Sequence, residues 1–374
     1  MKNITTYALF FLMGSLMLFG PMLWAQQQTD SIIEFARRQI YENPNLAIET
    51  AENLLKESNS IDIKVRSLII ISTAYSSKRE YEKSLEYSRK AMEMFPKITD
   101  VQLKINLLNR IGGQYQELNV YDRALTYLDD AYTLLGTLPE STEKSQSLGF
   151  NHLVRGFIYR EQMSCEIALD YFNSAIAAYQ KILIEVPVNS NLSIAFYNKG
   201  NCLLVIDKIN EAEESFLQSI TYAEKNNAKS LIAFAQKGLA NVYTMEGQHT
   251  VAIQLLLNAL ENSEKVGDKI LNRSIYTMLA NNYLALGDIE NYEVFENKSQ
   301  TIHDEIIKTE RRTIDKSIYN LMRVNSEKVE NLNNTNNIYK IVLIVLMSAI
   351  ILILARFIFS SEKTLKALRK ELKF

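Results

Sequence analysis

Apolar and small residues recur between residues 30 and 300 with the three- and four-residue spacing of α-helices. Short turns such as Glu117–Tyr121 and Glu246–His249 separate one helical stretch from the next. One apolar stripe illustrates the spacing: Ala124, Leu125, Leu128, Ala131, Leu134 and Leu135. The pattern predicts consecutive pairs of antiparallel helices.

The helical pattern repeats every 40 to 44 residues, in a register set by one mostly aromatic column: Tyr75, Tyr115, Tyr159, Leu203, Tyr243 and Tyr283. Mostly small residues fill three further columns, which lie three positions before each of these residues and nine and sixteen positions after it. Small residues let two helices approach closely, and a helix pair that cannot bury its apolar face alone must stack on its neighbours. The columns predict about seven stacked pairs over residues 30–300.

The repeat resembles the tetratricopeptide repeat (TPR) family, as the stretch Gly112–Tyr115 followed by Ala124, Leu128 and Ala131 shows. The resemblance implies an all-α fold, a right-handed superhelical solenoid of helix-turn-helix repeats, with units longer than the commonest period of about 34 residues. It also implies that the first helix of each unit lines a concave, peptide-binding face. The whole chain is similar to the sensor half of bacterial TPR signalling proteins.

Both ends of the chain carry membrane-related signals. Residues 1–25 have the layout of a secretory signal peptide, with Lys2 before a short apolar run. Residues 338–359 are apolar enough to predict a transmembrane helix, followed by a basic tail at 360–374. The positive-inside rule then predicts a single-pass protein of the bacterial inner membrane, with periplasmic repeats and a cytoplasmic C-terminus.

Residues 301–337 are predicted to form a helical stalk between the repeats and the apolar segment. Apolar residues recur only weakly there, at Ile307, Ile314 and Leu321, which is too few for a firm coiled coil. The stalk is compatible with a weak homodimer contact. The basic tail is interpreted as a topology signal, and pairing with a cytoplasmic partner is left open.

Three asparagines one repeat apart predict a ligand-binding ladder on the concave face: Asn201, Asn241 and Asn281. An asparagine side chain offers a donor and an acceptor, which suits gripping an extended peptide backbone. Five further residues are candidate contacts on the same face: Asn109, Gln116, Arg160, Tyr197 and Lys237. The alternative is that the asparagines make local hydrogen bonds on the helix surface, inherited by repeat duplication.

Composition narrows the function classes. A formal net charge of −2 gives no electrostatic footprint for nucleic acid. The three histidines lie in distant regions, and no nucleophile motif, phosphate loop or metal-ligand cluster occurs, so we predict no catalytic residues, no metal and no cofactor. Cys165 and Cys202 are interpreted as buried thiols, with one bridge left open.

The sequence therefore predicts a non-enzymatic scaffold or receptor, anchored to the lipid bilayer by one helix, that binds a protein or peptide on its concave face. The alternative is a truncated or partner-dependent sensor of the type that precedes a histidine kinase or helix-turn-helix regulator.

Overall fold

The computed structural model describes residues 28–40, 43–162, 164–264, 268–307 and, apart from residues 342, 345, 349, 352 and 359, residues 340–366. The chain divides into two units, residues 1–317 and 318–374. In the first unit the described helices are α1 (28–40), α2 (Pro44–Glu57), α3 (Ile61–Ser77), α4 (Tyr81–Glu93), α5 (Val101–Glu117), α6 (Tyr121–Gly136), α7 (Thr142–Gln162), α8 (Cys165–Gln180), α9 (Asn189–Val205), α10 (Ile209–Lys225), α11 (Lys229–Met245), α12 (His249–Glu264), α13 (Lys269–Ala285) and α14 (Ile289–Ile306). A short 3-10 helix, Phe95–Lys97, follows α4.

These helices pair in sequence into seven hairpins, from α1–α2 to α13–α14. From the second hairpin onward, the odd-numbered helix of each hairpin also contacts the odd-numbered helix of the next. The odd-numbered helices therefore line one continuous face of the array. The predicted all-α solenoid of TPR-like helical repeats is confirmed, and no strand occurs among the residues described.

Small residues and one large ring hold adjacent hairpins together. The ring of Phe216, on α10, is fully buried and lies against Gly200 of its own hairpin and Gly238 of the next. A Cβ atom at Gly200 would come within 2.7 Å of that ring. Gly156 meets the buried ring of Phe172 in the same way one hairpin earlier. At Gly156 and Gly200 the predicted small-residue column thus makes room for an aromatic ring from the even-numbered helix, and at Gly112 it makes room for Leu128.

The aromatic column stacks across each hairpin. Four of its tyrosines stack on the ring twelve residues later, on the even-numbered helix, with centroids 4.9–5.6 Å apart: Tyr75 on Tyr87, Tyr115 on Tyr127, Tyr159 on Tyr171 and Tyr283 on Phe295. Stacked aromatic pairs add roughly 0.5–1.5 kcal/mol beyond the apolar area that they bury. The same contact therefore stabilises four different hairpins.

A repeated left-handed residue ends most of the odd-numbered helices: Arg79, Asn119, Asp207, Gly247 and Gly287. The amide after each of them donates to the carbonyl of the aromatic-column residue, as in Gln248 N to Tyr243 O at 2.8 Å. This is the six-to-one hydrogen bond of a Schellman cap, which favours glycine or asparagine at the left-handed position. The turn geometry is thus repeated even where the residue type is not.

The described helical residues of the second unit, between 340 and 366, have exposed large apolar side chains, including Ile341 and Phe357. Crossing a bilayer needs about 20 consecutive, predominantly apolar residues in a helix. Across the described ranges, no helix is both long enough and apolar enough for that. The predicted location in the inner membrane, with residues 338–359 spanning it and the repeats in the periplasm, is therefore wrong.

Several other predictions fall on residues outside the described ranges. The signal peptide (1–25), the stalk beyond residue 307 and the end of the basic tail lie there. Helix α14 continues to Ile306, six residues past the predicted end of the array at residue 300. The weak homodimer through the stalk stays a prediction.

Candidate functional site

The three ladder asparagines lie on consecutive odd-numbered helices, Asn201 on α9, Asn241 on α11 and Asn281 on α13. Asn201 is half-buried, and the other two are exposed. Within the described part of the chain, none of the three side-chain amides has a hydrogen-bond partner. Because α9 contacts α11 and α11 contacts α13, the three amides belong to one accessible face. We call them the asparagine ladder.

An aromatic and cationic cluster lies one helical turn before the ladder. The ring of Tyr197, on α9, meets the ring of Phe234, on α11, edge to face at 5.6 Å between centroids. The ammonium of Lys237 lies 5.7 Å from the centre of the Tyr197 ring and 6.0 Å from that of Phe234. Cation–π contacts of this kind contribute about 0.5–1 kcal/mol at exposed sites. The cluster fixes α9 against α11 beside the ladder.

Phe234 was not predicted from the sequence as a site residue. Its position three residues before Lys237, which places both side chains on one face of α11, is the feature that could have indicated it. The equivalent positions on the neighbouring odd-numbered helices hold Ile194 and Ser274, so no column of one residue type marked the site.

Asn109, another predicted contact, is buried between α5 and α7. Its Nδ2 donates to the carbonyl of Ser147 at 3.1 Å, and its Oδ1 accepts from Asn151 at 2.8 Å. Only 3% of the residue is exposed. Both ends of its amide are therefore hydrogen-bonded across two hairpins, and burial keeps Asn109 from a ligand.

The same buried network continues to the even-numbered helix α6. Asn151 also donates to the carbonyl of Leu128 at 2.9 Å and accepts from Nε of Arg155 at 2.8 Å. Arg155 in turn pairs with Asp129 at 2.5 Å. A buried guanidinium is tolerated only where its hydrogen bonds and its charge are satisfied, as they are here. This network joins the third and fourth hairpins and is structural.

Two further predicted contacts, Arg160 on α7 and Gln116 on α5, are half-buried and lie on hairpins before the ladder. Arg160 donates to Oδ1 of Asn198 on α9 and to Oε1 of Glu161, at 3.1 Å through Nε and 2.8 Å through Nη2. Its charge is therefore already compensated. The structure brings together Tyr197, Lys237 and the ladder, and leaves Gln116 apart from them.

Other reactive groups lie in the core. Cys165 and Cys202 are both buried and both free thiols. Burial, followed by the neighbouring Cys165, raises the pKa of the Cys202 thiol, so this thiol resists ionisation. Across the described residues, no three or more His, Cys, Asp or Glu side chains are grouped so that they could hold a metal ion.

Comparison with known proteins supports the assignment of TPR-like repeats independently of the structure. Residues 65–98 match the tetratricopeptide repeat family model. Over 210 residues the chain is 21% identical to response regulator aspartate phosphatase E of Bacillus subtilis (strain 168). That match covers 56% of this chain and 54% of the other protein, so the chain spans about half the length of this curated relative.

Solved structures share the fold at low identity. A Rap protein complexed with competence and sporulation factor is 13% identical with a TM-score of 0.55, over 78% of this chain and 79% of that one. NprR in complex with its cognate peptide NprX is 14% identical with a TM-score of 0.52, over 86% and 99%. A STAND signal transduction ATPase with a TPR sensor, from Pyrococcus horikoshii, is 14% identical with a TM-score of 0.55, over 75% and 41%. At such identities the likeness shows the TPR-like fold alone.

Proposed function

We propose that the chain is a non-enzymatic receptor that binds an extended peptide, or an extended segment of a protein, along the face formed by α9, α11 and α13. One observation carries the proposal. The three ladder amides are accessible on consecutive odd-numbered helices, and within the described part of the chain none of them has a hydrogen-bond partner.

The chemistry of the ladder suits a backbone ligand. Each amide supplies donors and an acceptor, which match the carbonyl and N–H groups of an extended chain whatever its sequence. If the asparagines served only local hydrogen bonds on the helix surface, their amides would be bonded to nearby groups. Asn109 shows what such a structural asparagine looks like, because both ends of its amide are bonded.

The comparisons favour a peptide as the ligand class. NprR, which has a similar fold, is known in complex with its cognate peptide. The STAND protein uses its repeats as a sensor. These likenesses support a regulatory binding role for this chain, in which a bound peptide would control a separate partner protein.

The test is binding of a random peptide library displayed on phage, followed by measurement of the dissociation constant for the best selected peptide. The variant is Asn201→Ala/Asn241→Ala/Asn281→Ala. Each neutral hydrogen bond contributes roughly 0.5–1.5 kcal/mol, so loss of three should weaken binding on the order of 10- to 1000-fold.

The matched control replaces one exposed asparagine on the even-numbered helix of each of the same three hairpins: Asn210→Ala/Asn258→Ala/Asn297→Ala. Its affinity should equal that of the unaltered protein. Equal affinity in the ladder variant, with circular dichroism showing that it is folded, would refute the proposal.

A further inference from the structure

Acidic and basic residues are unevenly distributed between the odd- and even-numbered helices of the last three hairpins. Helices α9, α11 and α13, which carry the ladder, contain no aspartate or glutamate. They contain five basic residues: Lys199, Lys229, Lys237, Lys269 and Arg273. Helices α10, α12 and α14 contain eleven acidic residues and two lysines. The ladder therefore lies on the basic set of helices, in a chain whose formal net charge is −2.

Lys237 is the basic residue that lies beside the ladder. It precedes Asn241 by four residues, so the two side chains are neighbours on one face of α11. Its ammonium lies 5.7 Å from the centre of the Tyr197 ring and 6.0 Å from that of Phe234. Because the two rings already restrict the lysine side chain, it loses less conformational freedom when it binds a ligand.

The positive charge of Lys237 has no carboxylate partner within the described part of the chain. No carboxylate oxygen there lies within 4.0 Å of its ammonium. By contrast, Lys269 on α13 pairs with Glu305 of α14 at 2.8 Å. The aromatic rings attract the ammonium but do not neutralise its formal charge. Lys237 can therefore form a charge-assisted hydrogen bond with a carboxylate that a ligand supplies.

We infer that the extended segment held by the ladder carries an acidic side chain, whose carboxylate pairs with the ammonium of Lys237. The inference rests on the proposed function and adds the class of sequence that the site selects. The ladder amides are uncharged and bind backbone groups, which all sequences share, whereas Lys237 discriminates by charge. A basic side chain at the same position is repelled by the like charge of Lys237.

The test begins with selection of random peptides displayed on phage, against the full chain and separately against Lys237→Met. Methionine removes the charge and keeps an unbranched side chain beside the two rings. Peptides selected by the unaltered protein should be enriched in aspartate and glutamate, with one acidic position in common. Peptides selected by Lys237→Met should lack this enrichment.

Dissociation constants then measure the charge pairing itself. The best selected peptide is compared with a counterpart in which the shared acidic residue is replaced by its amide, both acetylated and amidated so that no terminal charge contributes. The counterpart should bind the unaltered protein on the order of fivefold more weakly, as loss of a partly exposed ion pair predicts. This difference should shrink at about 0.5 M salt, because salt screens exposed charges. Lys237→Met should bind both peptides equally.

The matched control is Lys199→Met, which removes the same formal charge from the neighbouring odd-numbered helix α9. Lys199 follows Tyr197 by two residues, so the two side chains do not share a helix face. This variant should keep the preference for the acidic peptide. Selected peptides without acidic enrichment, a preference that survives in Lys237→Met, or a preference that Lys199→Met also abolishes, overturns the inference.

The ladder variant separates this inference from the proposed function. If the ladder variant binds the selected peptides as tightly as the unaltered protein does, the proposed function itself fails. If it binds them more weakly but the unaltered protein does not discriminate between the acidic peptide and its amide counterpart, only the inference about Lys237 fails.

Discussion

Gly238 allows two neighbouring hairpins to pack closely because it has no side chain. A Cβ atom at this position would overlap Cε1 of Phe216, whose ring belongs to the preceding hairpin. Gly200, in the same hairpin as Phe216, approaches the same ring atoms. Because the ring is fully buried and protein cores are close-packed, it cannot move without displacing its neighbours.

Gly238→Ala should therefore lower the free energy of unfolding, although alanine is the better helix former. Overpacking a core costs typically about 1–3 kcal/mol, which exceeds the helix-propensity gain of about 0.5–1 kcal/mol. Urea unfolding followed by circular dichroism measures the change. Gly136→Ala is the control, since a Cβ atom there meets nothing within 4 Å and should leave stability unchanged or raised. An unchanged midpoint for Gly238→Ala would contradict the packing described.

Helix α7 shows how an element joins its neighbours through polar groups and rings. The ring of His152 lies 6.0 Å from that of Tyr132 on α6 and 6.0 Å from that of Tyr171 on α8. Burial, and after it the charge of Arg155, holds the pKa of His152 below its usual value. The folded protein therefore keeps this imidazole neutral where the unfolded chain would protonate it.

This lowered pKa predicts a pH dependence of stability. The unfolded chain binds the proton first, so the free energy of unfolding should decrease as pH falls through about 6.5, the usual histidine pKa, and level off above it. Urea midpoints between pH 5.5 and 7.5 measure the slope. His152→Gln, which removes the titrating group, should flatten it. A slope equal to that of the unaltered protein would show that other groups cause the dependence.

The helices and their turns could be predicted from the sequence because the spacing of apolar residues is local. The turn between α5 and α6 lies where the sequence predicted it, from Glu117 to Tyr121. The buried network around Asn109 could not be predicted, since its partner Asn151 is 42 residues away and on another hairpin. The left-handed conformation of Arg79 was equally hidden, because its residue type gives no such signal.

Over the first unit, the odd-numbered helices combine into one face that no single hairpin could supply. Contacts also reach further than adjacent hairpins. The guanidinium of Arg79, in the turn of the second hairpin, lies 3.5 Å from the carboxylate of Asp268, which caps α13 in the seventh. Helix α13, which carries Asn281, is thus in contact at its first turn with the second hairpin.

For the whole array, the shared face of the three ladder asparagines could be predicted from the sequence because a 40-residue repeat places equivalent residues on equivalent faces. It could not predict that the three amides would lack partners, since that depends on every side chain packed nearby. The predicted bilayer crossing failed because, among the residues that the structure describes, no helix is both long enough and apolar enough for it.

The most direct test of peptide binding on the odd-numbered helices is photo-crosslinking. The best library-selected peptide would carry benzoylphenylalanine at its centre, and mass spectrometry would map its attachment sites on the unaltered protein, with unlabelled peptide as competitor. We predict attachment on α9, α11 and α13 that the competitor suppresses. Competitor-sensitive attachment on α10, α12 or α14 instead would contradict the account.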